Sequence, residues 1–451
     1  MAQPLLTLPS RIMLASDERA ALANWLLVWV VLANIGFSLL YFVGSPPLVG
    51  GIVVFGVLGL VVRSLPFAAQ IFAFVAGLGY AGVSVLSSLF NLPITSLSRS
   101  IVFISELNAF NSMEYIGIGI GLISLVVAAC LALRRPTHFT DLHAVLVAFA
   151  AVALLALVDV YMAYGTGGHY RRLVSEGEPF SSAMSGAGLP EASGAAPRHL
   201  LVVMVESLGA PVDNPELSRL IFARYNSPAV RERFDVKSGT TIYYGSTTSG
   251  EIRELCGRWG DYYDLVDRKD AACLPARLAR DGYETSAYHS FAGEFFDRVS
   301  WYPNIGFDNL VFKDDLSKGG AETCGGVFPG VCDRDVPRQL AQRLKSAEKP
   351  QFIYWLTVNS HLPVPEQNNL DVENCARVSP KLAADFPMIC RQVAIWDSVD
   401  AAIVKEITAA DFPPTDILLV GDHMPPYFDR KSRVQFAPDR VPWIMLKWRG
   451  S

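Results

Sequence analysis

The sequence predicts two architectures in one chain: a bundle of about five membrane-spanning α-helices, followed by a soluble α/β domain. Three observations predict this. Hydrophobic residues make up 51% of the 451 and charged residues 18%, against about 25% charged in a soluble protein, and the apolar excess lies before residue 165. Beyond residue 198, apolar runs of strand length alternate with helical patterns. Six of the seven cysteines fall in that second half, in sequence-local pairs.

The apolar runs come first. Spanning a bilayer takes about 20 mostly apolar residues. Trp25–Val43, Pro47–Val62, Phe67–Leu89, Tyr115–Leu133 and Ala144–Tyr164 qualify, the second at the short end of the range. Pro46 and Pro47 leave almost no loop between the first two, which predicts a tight hairpin. Arg11, Arg19, Arg63, Arg134 and Arg135 all fall on one side of a five-span bundle. Positive loops face the cytoplasm, so the N-terminus is expected there and everything after residue 165 outside. More spans follow the first run and no small-residue cleavage site closes it, so it is expected to stay as an anchor. The loop Asn91–Met113 then lies on the outer side, its patch Ile101–Ile104 resting in the interface, and Asp159 sits near an interface. The expected division is a transmembrane domain over 1–165, a Gly/Ser/Ala/Pro-rich linker over 166–198 and an extracytoplasmic domain over 199–451.

Charge and cysteine usage bound the function. The net charge is −5, and no basic stripe or zinc-finger spacing occurs, which argues against nucleic acid as a partner. Cysteine locality predicts the disulfides Cys256–Cys273, Cys324–Cys332 and Cys375–Cys390, with Cys130 free in the bilayer. A metal cluster is the rival reading, but no C-x-x-C occurs. Disulfides imply an oxidising compartment, in agreement with the predicted orientation.

In the soluble half, His199–Val205 is a buried-strand run ending at Glu206. Phe352–Val358 is a second, ending near His361. Ile417–Val420 is a third, ending at Gly421-Asp422-His423, and Pro442–Trp448 reads as a late strand. Arg334–Leu344 and Gln392–Ile407 carry helical periodicity. Open α/β sheets place their sites just past strand C-termini, where Glu206, His361, Asp422 and His423 lie. A carboxylate, a hydroxyl and an adjacent Asp-His pair can surround one Zn²⁺ or Mn²⁺. Such an ion acidifies a hydroxyl as it does water, whose pKa falls from about 15.7 to near 7. Thr248 is the expected nucleophile, because Thr248-x-x-Glu251 has the form of a capping box opening a helix. Its hydroxyl would sit at the positive end of the helix dipole. Thr247, Ser246 and Ser249 stand beside it as alternatives, and an N-cap role alone would also account for Thr248. Glu251 reads as cap and support rather than ligand.

The strand ending in Glu206-Ser207, the Thr248-Ser249 segment and Gly421-Asp422-His423 resemble the sulfatase-like branch of the alkaline phosphatase superfamily. Within it they most resemble the lipoteichoic acid synthases and phosphoethanolamine transferases, over about residues 198–448. The resemblance implies an alkaline-phosphatase-like fold, with Glu206, Thr248, Asp422 and His423 holding one divalent metal. The stretch Tyr288-His289 to Phe295-Phe296-Asp297-Arg298 is similar to the family segment supplying a His and an Arg to the substrate phosphate. His361 resembles its second substrate-side histidine. The local disulfides look like those of phosphoethanolamine transferases, whereas the Glu-Ser and Thr-Ser motifs look like those of phosphoglycerol transferases. The Cys/Ser-x-Pro-x-Arg motif of true sulfatases is absent around 246–251.

The implied function is transfer of a phosphorylated head group from a membrane phospholipid, through a covalent phospho-threonine, to a glycan or lipid acceptor outside the cytoplasmic membrane. A cell-surface phosphodiesterase or sulfatase is the second reading. An inactive sensor or scaffold on the same fold is the third.

Overall fold

The computed structural model describes residues 15–38, 48–89, 113–164, 174, 177–189, 198–366, 369–427 and 430–450. The chain divides into two units, one of Met1–Ser88 with Ile116–Thr166 and one of Leu89–Tyr115 with Gly167–Ser451.

The first unit contains five apolar helices among the described residues: α1 (Ser16–Ser38), α2 (Val49–Val62), α3 (Phe67–Leu89), α4 (Met113–Ala132) and α5 (Leu142–Tyr164). Three of them, α1, α3 and α5, are long and apolar enough to cross a membrane, while α2 and the apolar part of α4 are shorter. Five spans are thus met by length and composition for three. The first helix starts at Ser16 rather than Trp25, because Ala20–Ala23 extends the apolar run and Asn24 is satisfied internally. Its Nδ2 donates to the carbonyls of Ala132 and Arg135, both at 3.1 Å. Trp25, Trp29, Phe55 and Phe74 are fully buried in this bundle, and many other apolar side chains point outward, such as Phe72, Leu142 and Leu157. An apolar exterior is what a lipid-facing bundle presents. The Pro46-Pro47 turn and the Ile101–Ile104 patch lie outside the described residues.

The second unit is built on a seven-stranded sheet in the order β2-β9-β8-β1-β7-β3-β4. Its strands are β1 (His199–Val205), β2 (Phe234–Ile242), β3 (Glu284–His289), β4 (Asn309–Val311), β7 (Gln351–Leu356), β8 (Thr415–Gly421) and β9 (Arg440–Trp448); β5 (Thr323–Cys324) and β6 (Gly330–Val331) form a separate hairpin. From β8 to β4 all neighbours run parallel, and β9 and β2 are antiparallel additions at one edge. Central β1, β7 and β8 are buried almost throughout. That explains why they read as continuous apolar runs.

Helices cover the sheet: α6 (Ala183–Ala187), α7 (Thr247–Cys256), α8 (Val336–Lys345) and α9 (Pro387–Ile407) are those that bear on the site. The last two match the predicted periodicities. All three disulfides form as expected, Cys256–Cys273, Cys324–Cys332 and Cys375–Cys390, and Cys130 is free. One expectation is corrected. The segment 166–198 is not all linker, because Ser182 caps a short helix whose Ala183 and Met184 are buried in the second unit.

Candidate metal centre and active site

Parallel β1 and β8 end side by side, so Glu206 and the Gly421-Asp422-His423 turn meet at their C-terminal edge. Ser207 follows Glu206 with a positive φ of 54°, a sharp turn that a non-glycine residue adopts only when its surroundings hold it. Here they do. Ser207 N donates to Asp422 Oδ1 at 2.7 Å and its Oγ to Glu206 Oε1 at 2.7 Å. Gly421 has no Cβ because the Leu208 carbonyl would lie 1.9 Å from one, so only glycine lets the two strand ends close together.

Glu206, Asp422 and His423 each offer a donor atom, and these lie within 4.8 Å of one another. His423 Nδ1 faces the Met424 carbonyl at 2.9 Å. That contact fixes the tautomer with hydrogen on Nδ1 and turns the Nε2 lone pair toward the carboxylates. Burial pushes the Asp422 carboxyl up to about 7, and the neighbouring Glu206 charge adds to it. Burial works against a charged His423, but the Asp422 and Glu206 carboxylates outweigh it and raise the imidazole. Among the described residues, His423 is the one basic side chain in ion-pair range of either carboxylate. Two buried carboxylates, one oriented imidazole and a hydroxyl match the donor set of a Zn²⁺ or Mn²⁺ site. A cation there would also balance the negative charge, so the residues fit a single divalent metal.

The hydroxyl is not the expected one. Thr247 Oγ1 lies 2.9 Å from Asp422 Oδ2, 3.3 Å from Glu206 Oε2 and 3.4 Å from His423 Nε2. Thr248 is fully buried and turns away: its Oγ1 lies 3.2 Å from Ser246 Oγ and it bonds Asp261. The cause is the helix start. α7 begins at Thr247 with Ser246 as N-cap, so the capping box read at 248–251 does not form. The Glu251 carboxylate is taken up instead by Arg298 Nη2 at 2.8 Å, Tyr354 Oη at 3.1 Å and Tyr302 Oη.

That network also corrects Arg298. It is 1% exposed, paired with Glu251, and donates its remaining nitrogen to the Phe295 carbonyl. Its guanidinium is a structural partner of Glu251 rather than a free phosphate contact. His289, at the end of β3, is buried, and its Nε2 has no hydrogen-bond partner among the described residues. Burial holds it well below the usual histidine range, and the Arg298 charge adds to that. His361 is pushed down to about 4 by burial and by His423, its Nδ1 also without a hydrogen-bond partner among the described residues. The electrostatic coupling of His361 to His423 and Asp422 puts it beside the cluster. A histidine with an unused buried nitrogen beside the cluster, as His361 has, suits an anionic group; the contacts of His289 are with Leu356, Phe291 and the Arg298 charge. Sequence reading missed two supporting residues, Thr357, whose Oγ1 accepts from Glu206 N at 2.9 Å, and Arg253, whose Nη2 donates to the Gly421 carbonyl at 2.9 Å.

A family model described as Sulfatase matches residues 198–445. A putative cyclic beta-1,2-glucan modification protein of Rhizobium meliloti (strain 1021) is 23% identical over 241 residues, 50% of this chain and 36% of that protein. The chain thus spans little more than a third of that relative. Similar solved structures include the lipoteichoic acid synthase LtaP from Listeria monocytogenes, at 15% identity and TM-score 0.42 over 56% of this chain and 66% of that one. The Streptococcus pyogenes phosphoglycerol transferase GacH in complex with sn-glycerol-1-phosphate gives 18% and 0.39 over 58% and 71%. The integral membrane lipooligosaccharide phosphoethanolamine transferase A (EptA) from Neisseria meningitidis gives 14% and 0.47 over 96% and 89%. With more than half of its length matched by that family model, the chain belongs to the Sulfatase family.

Proposed function

We propose that the chain transfers a phosphorylated head group, phosphoglycerol or phosphoethanolamine, from a membrane phospholipid to an extracytoplasmic glycan or lipid acceptor. The observation that carries this reading is the Thr247 hydroxyl, set within 3.4 Å of all three candidate ligands at the first turn of α7. Glu206, Asp422, His423 and Thr247 would hold one divalent cation. Bound there, it supplies the positive charge that makes a hydroxyl nucleophilic at neutral pH.

Thr247 Oγ1 attacks phosphorus and gives up its proton to solvent. The new Oγ–P bond forms as the P–O bond to diacylglycerol breaks, leaving a phospho-threonine. An acceptor hydroxyl then displaces Thr247 in a second step. His289 and His361 face the phosphoryl oxygens. Burial keeps both neutral when alone, and an anionic ligand is the partner that lets one of them hold a proton and pass it to the leaving alkoxide. The apolar helices and the positive-inside charge pattern support a catalytic unit anchored at the outer face of the cytoplasmic membrane, beside its lipid donor. The name of the Rhizobium meliloti relative lends support to a glycan acceptor.

The test is intact-mass analysis of the purified chain with phosphatidylglycerol or phosphatidylethanolamine and no acceptor. A phosphoglycerol or phosphoethanolamine adduct mapped to Thr247 is expected. Phospholipid hydrolysis at the same rate with and without acceptor, and no adduct, would establish a hydrolase instead.

A further inference from the structure

The segment 182–187 carries contacts that a spacer does not need. Ala183 N and Met184 N donate to the two oxygens of Glu254, at 3.1 and 2.9 Å. Glu254 lies on α7, two turns after Thr247. Arg253 Nε donates to Glu254 Oε1 at 2.6 Å, and both side chains are 1% exposed. The remaining guanidinium nitrogens reach the carbonyls of Gly421 at 2.9 Å and Asp422 at 3.3 Å. One turn earlier, Gly250 packs its bare Cα against Asp422, whose backbone would lie 3.2 Å from a Cβ. A continuous string of buried, charge-assisted hydrogen bonds therefore runs from the backbone of 183–184 to the turn that presents Asp422 and His423.

Each link depends on the next. The planar fork of Arg253 holds the Gly421 and Asp422 carbonyls together, which fixes the direction of both ligand side chains. Glu254 neutralises Arg253 in a place where an unpaired charge is costly. Ala183 and Met184 supply two of the donors that the Glu254 carboxylate needs there.

We infer that Arg253 and Glu254 are positioning residues for the cation-binding turn, and that segment 182–187 is the outer half of the same clamp. Docking of this segment and binding of a divalent cation then reinforce each other, as linkage requires. The chain entering the catalytic unit thereby becomes part of its metal site. The inference rests on the reading of Glu206, Asp422 and His423 as cation ligands.

The experiment uses the full chain in detergent. Hydrogen exchange of the Ala183 and Met184 amides is followed with chelator and with Zn²⁺ or Mn²⁺, and cation affinity is measured by competition with a chromogenic chelator. The cation is expected to slow exchange at 183–184 by about tenfold or more. Arg253→Lys and Glu254→Gln are each expected to weaken the cation by about 10–100-fold, the range typical of groups that orient metal ligands, and to abolish the slowing. Exchange at 183–184 that ignores the cation overturns the inference. So does wild-type affinity in both variants. The exchange measurement on the wild-type chain needs no variant, so it decides even where a substitution prevents folding. Asp422→Ala separates the two readings. If it binds the cation as the wild type does, the ligand assignment falls and the clamp with it. If it loses the cation while Arg253→Lys and Glu254→Gln keep it, only the clamp falls.

Discussion

Thr247 and Thr248 are adjacent, chemically identical and, on the proposed function, opposite in role, so their alanine variants should separate stability from activity. Thr248 is fully buried, with its hydroxyl between Ser246 and Asp261. Thr248→Ala removes a buried methyl, worth about 1 kcal/mol. It also removes one hydrogen bond, worth about 1 kcal/mol. Asp261 keeps its bonds from Ser249 Oγ at 2.9 Å and Tyr262 N at 2.8 Å, which limits the further penalty. A loss of about 2 kcal/mol should lower Tm by roughly 4–8 °C for a domain of this size. The transfer rate should stay within about threefold of wild type, because the hydroxyl lost does not face the ligand cluster. Thr247→Ala should behave in the opposite way. It deletes a partly exposed hydroxyl and should change Tm by only about 1–2 °C, yet lose several orders of magnitude in rate, as nucleophile deletions do. The assays are thermal unfolding by near-ultraviolet circular dichroism and diacylglycerol release from mixed micelles. A dead Thr248→Ala with an unchanged Tm, beside an active Thr247→Ala, would refute the placement of the nucleophile.

Three further outcomes are expected. Asp422→Ala should lose bound Zn²⁺ or Mn²⁺ and activity together, measured by elemental analysis and diacylglycerol release, because a single-ion site with one carboxylate removed keeps too few donors. Asp400 is buried beside Tyr225 Oη at 2.8 Å, and burial pushes it up to about 7. A carboxyl raised in the folded state carries no cost below about pH 4 and destabilises increasingly as pH rises toward 7, reaching about 4 kcal/mol above it. Asp400→Asn should therefore match wild-type Tm near pH 4.5 and exceed it at pH 8; parallel Tm profiles for the two proteins would reject this. Arg298→Met should cost roughly 3–5 kcal/mol by stranding Glu251, and adding Glu251→Leu should recover part of the lost Tm.

The positions of the candidate ligands were legible because they obey a strong rule: polar residues directly after apolar parallel strands sit at one edge of the sheet. Glu206, Asp422 and His423 met that rule, and β1 and β8 are neighbours. The hydroxyl was less legible, because the N-cap of α7 is Ser246, two residues before the Thr248 that the capping-box pattern implies. Neighbouring residues on a helix stand about 100° apart, so Thr247 meets the cluster while Thr248 turns to Asp261. What moved the start was tertiary: Glu251 binds Arg298, Tyr302 and Tyr354, and no local pattern encodes those partners. β2 and β3 were invisible for a related reason. β3 carries Thr285 and Ser286 fully inside the sheet, with Thr285 Oγ1 satisfied by the Gly306 carbonyl at 2.8 Å. A buried polar strand defeats hydropathy. β2 is an edge strand with half its length exposed, so it never needed an apolar run.

The charge balance of the site ties its stability to its chemistry. Glu206 and Asp422 are buried at 4% and 0% exposure, and a buried carboxylate pair is tolerated only if it shares protons or gains a cation. His423 supplies at most one positive charge against two negative ones. A proton on Asp422 would balance the remainder, and burial, with the Glu206 charge adding to it, pushes that carboxyl up to about 7. On the proposed reading a divalent cation balances it instead, releasing that proton and leaving both carboxylates ionised. Thr247 Oγ1 already lies among the same donor atoms, so whatever neutralises the carboxylates also acts on the hydroxyl. On that reading, the negative cluster that strains the fold when alone also selects the ion that would make Thr247 reactive. It follows that ligand variants which relieve the carboxylate repulsion, such as Asp422→Asn, should stabilise the chelated protein while abolishing transfer.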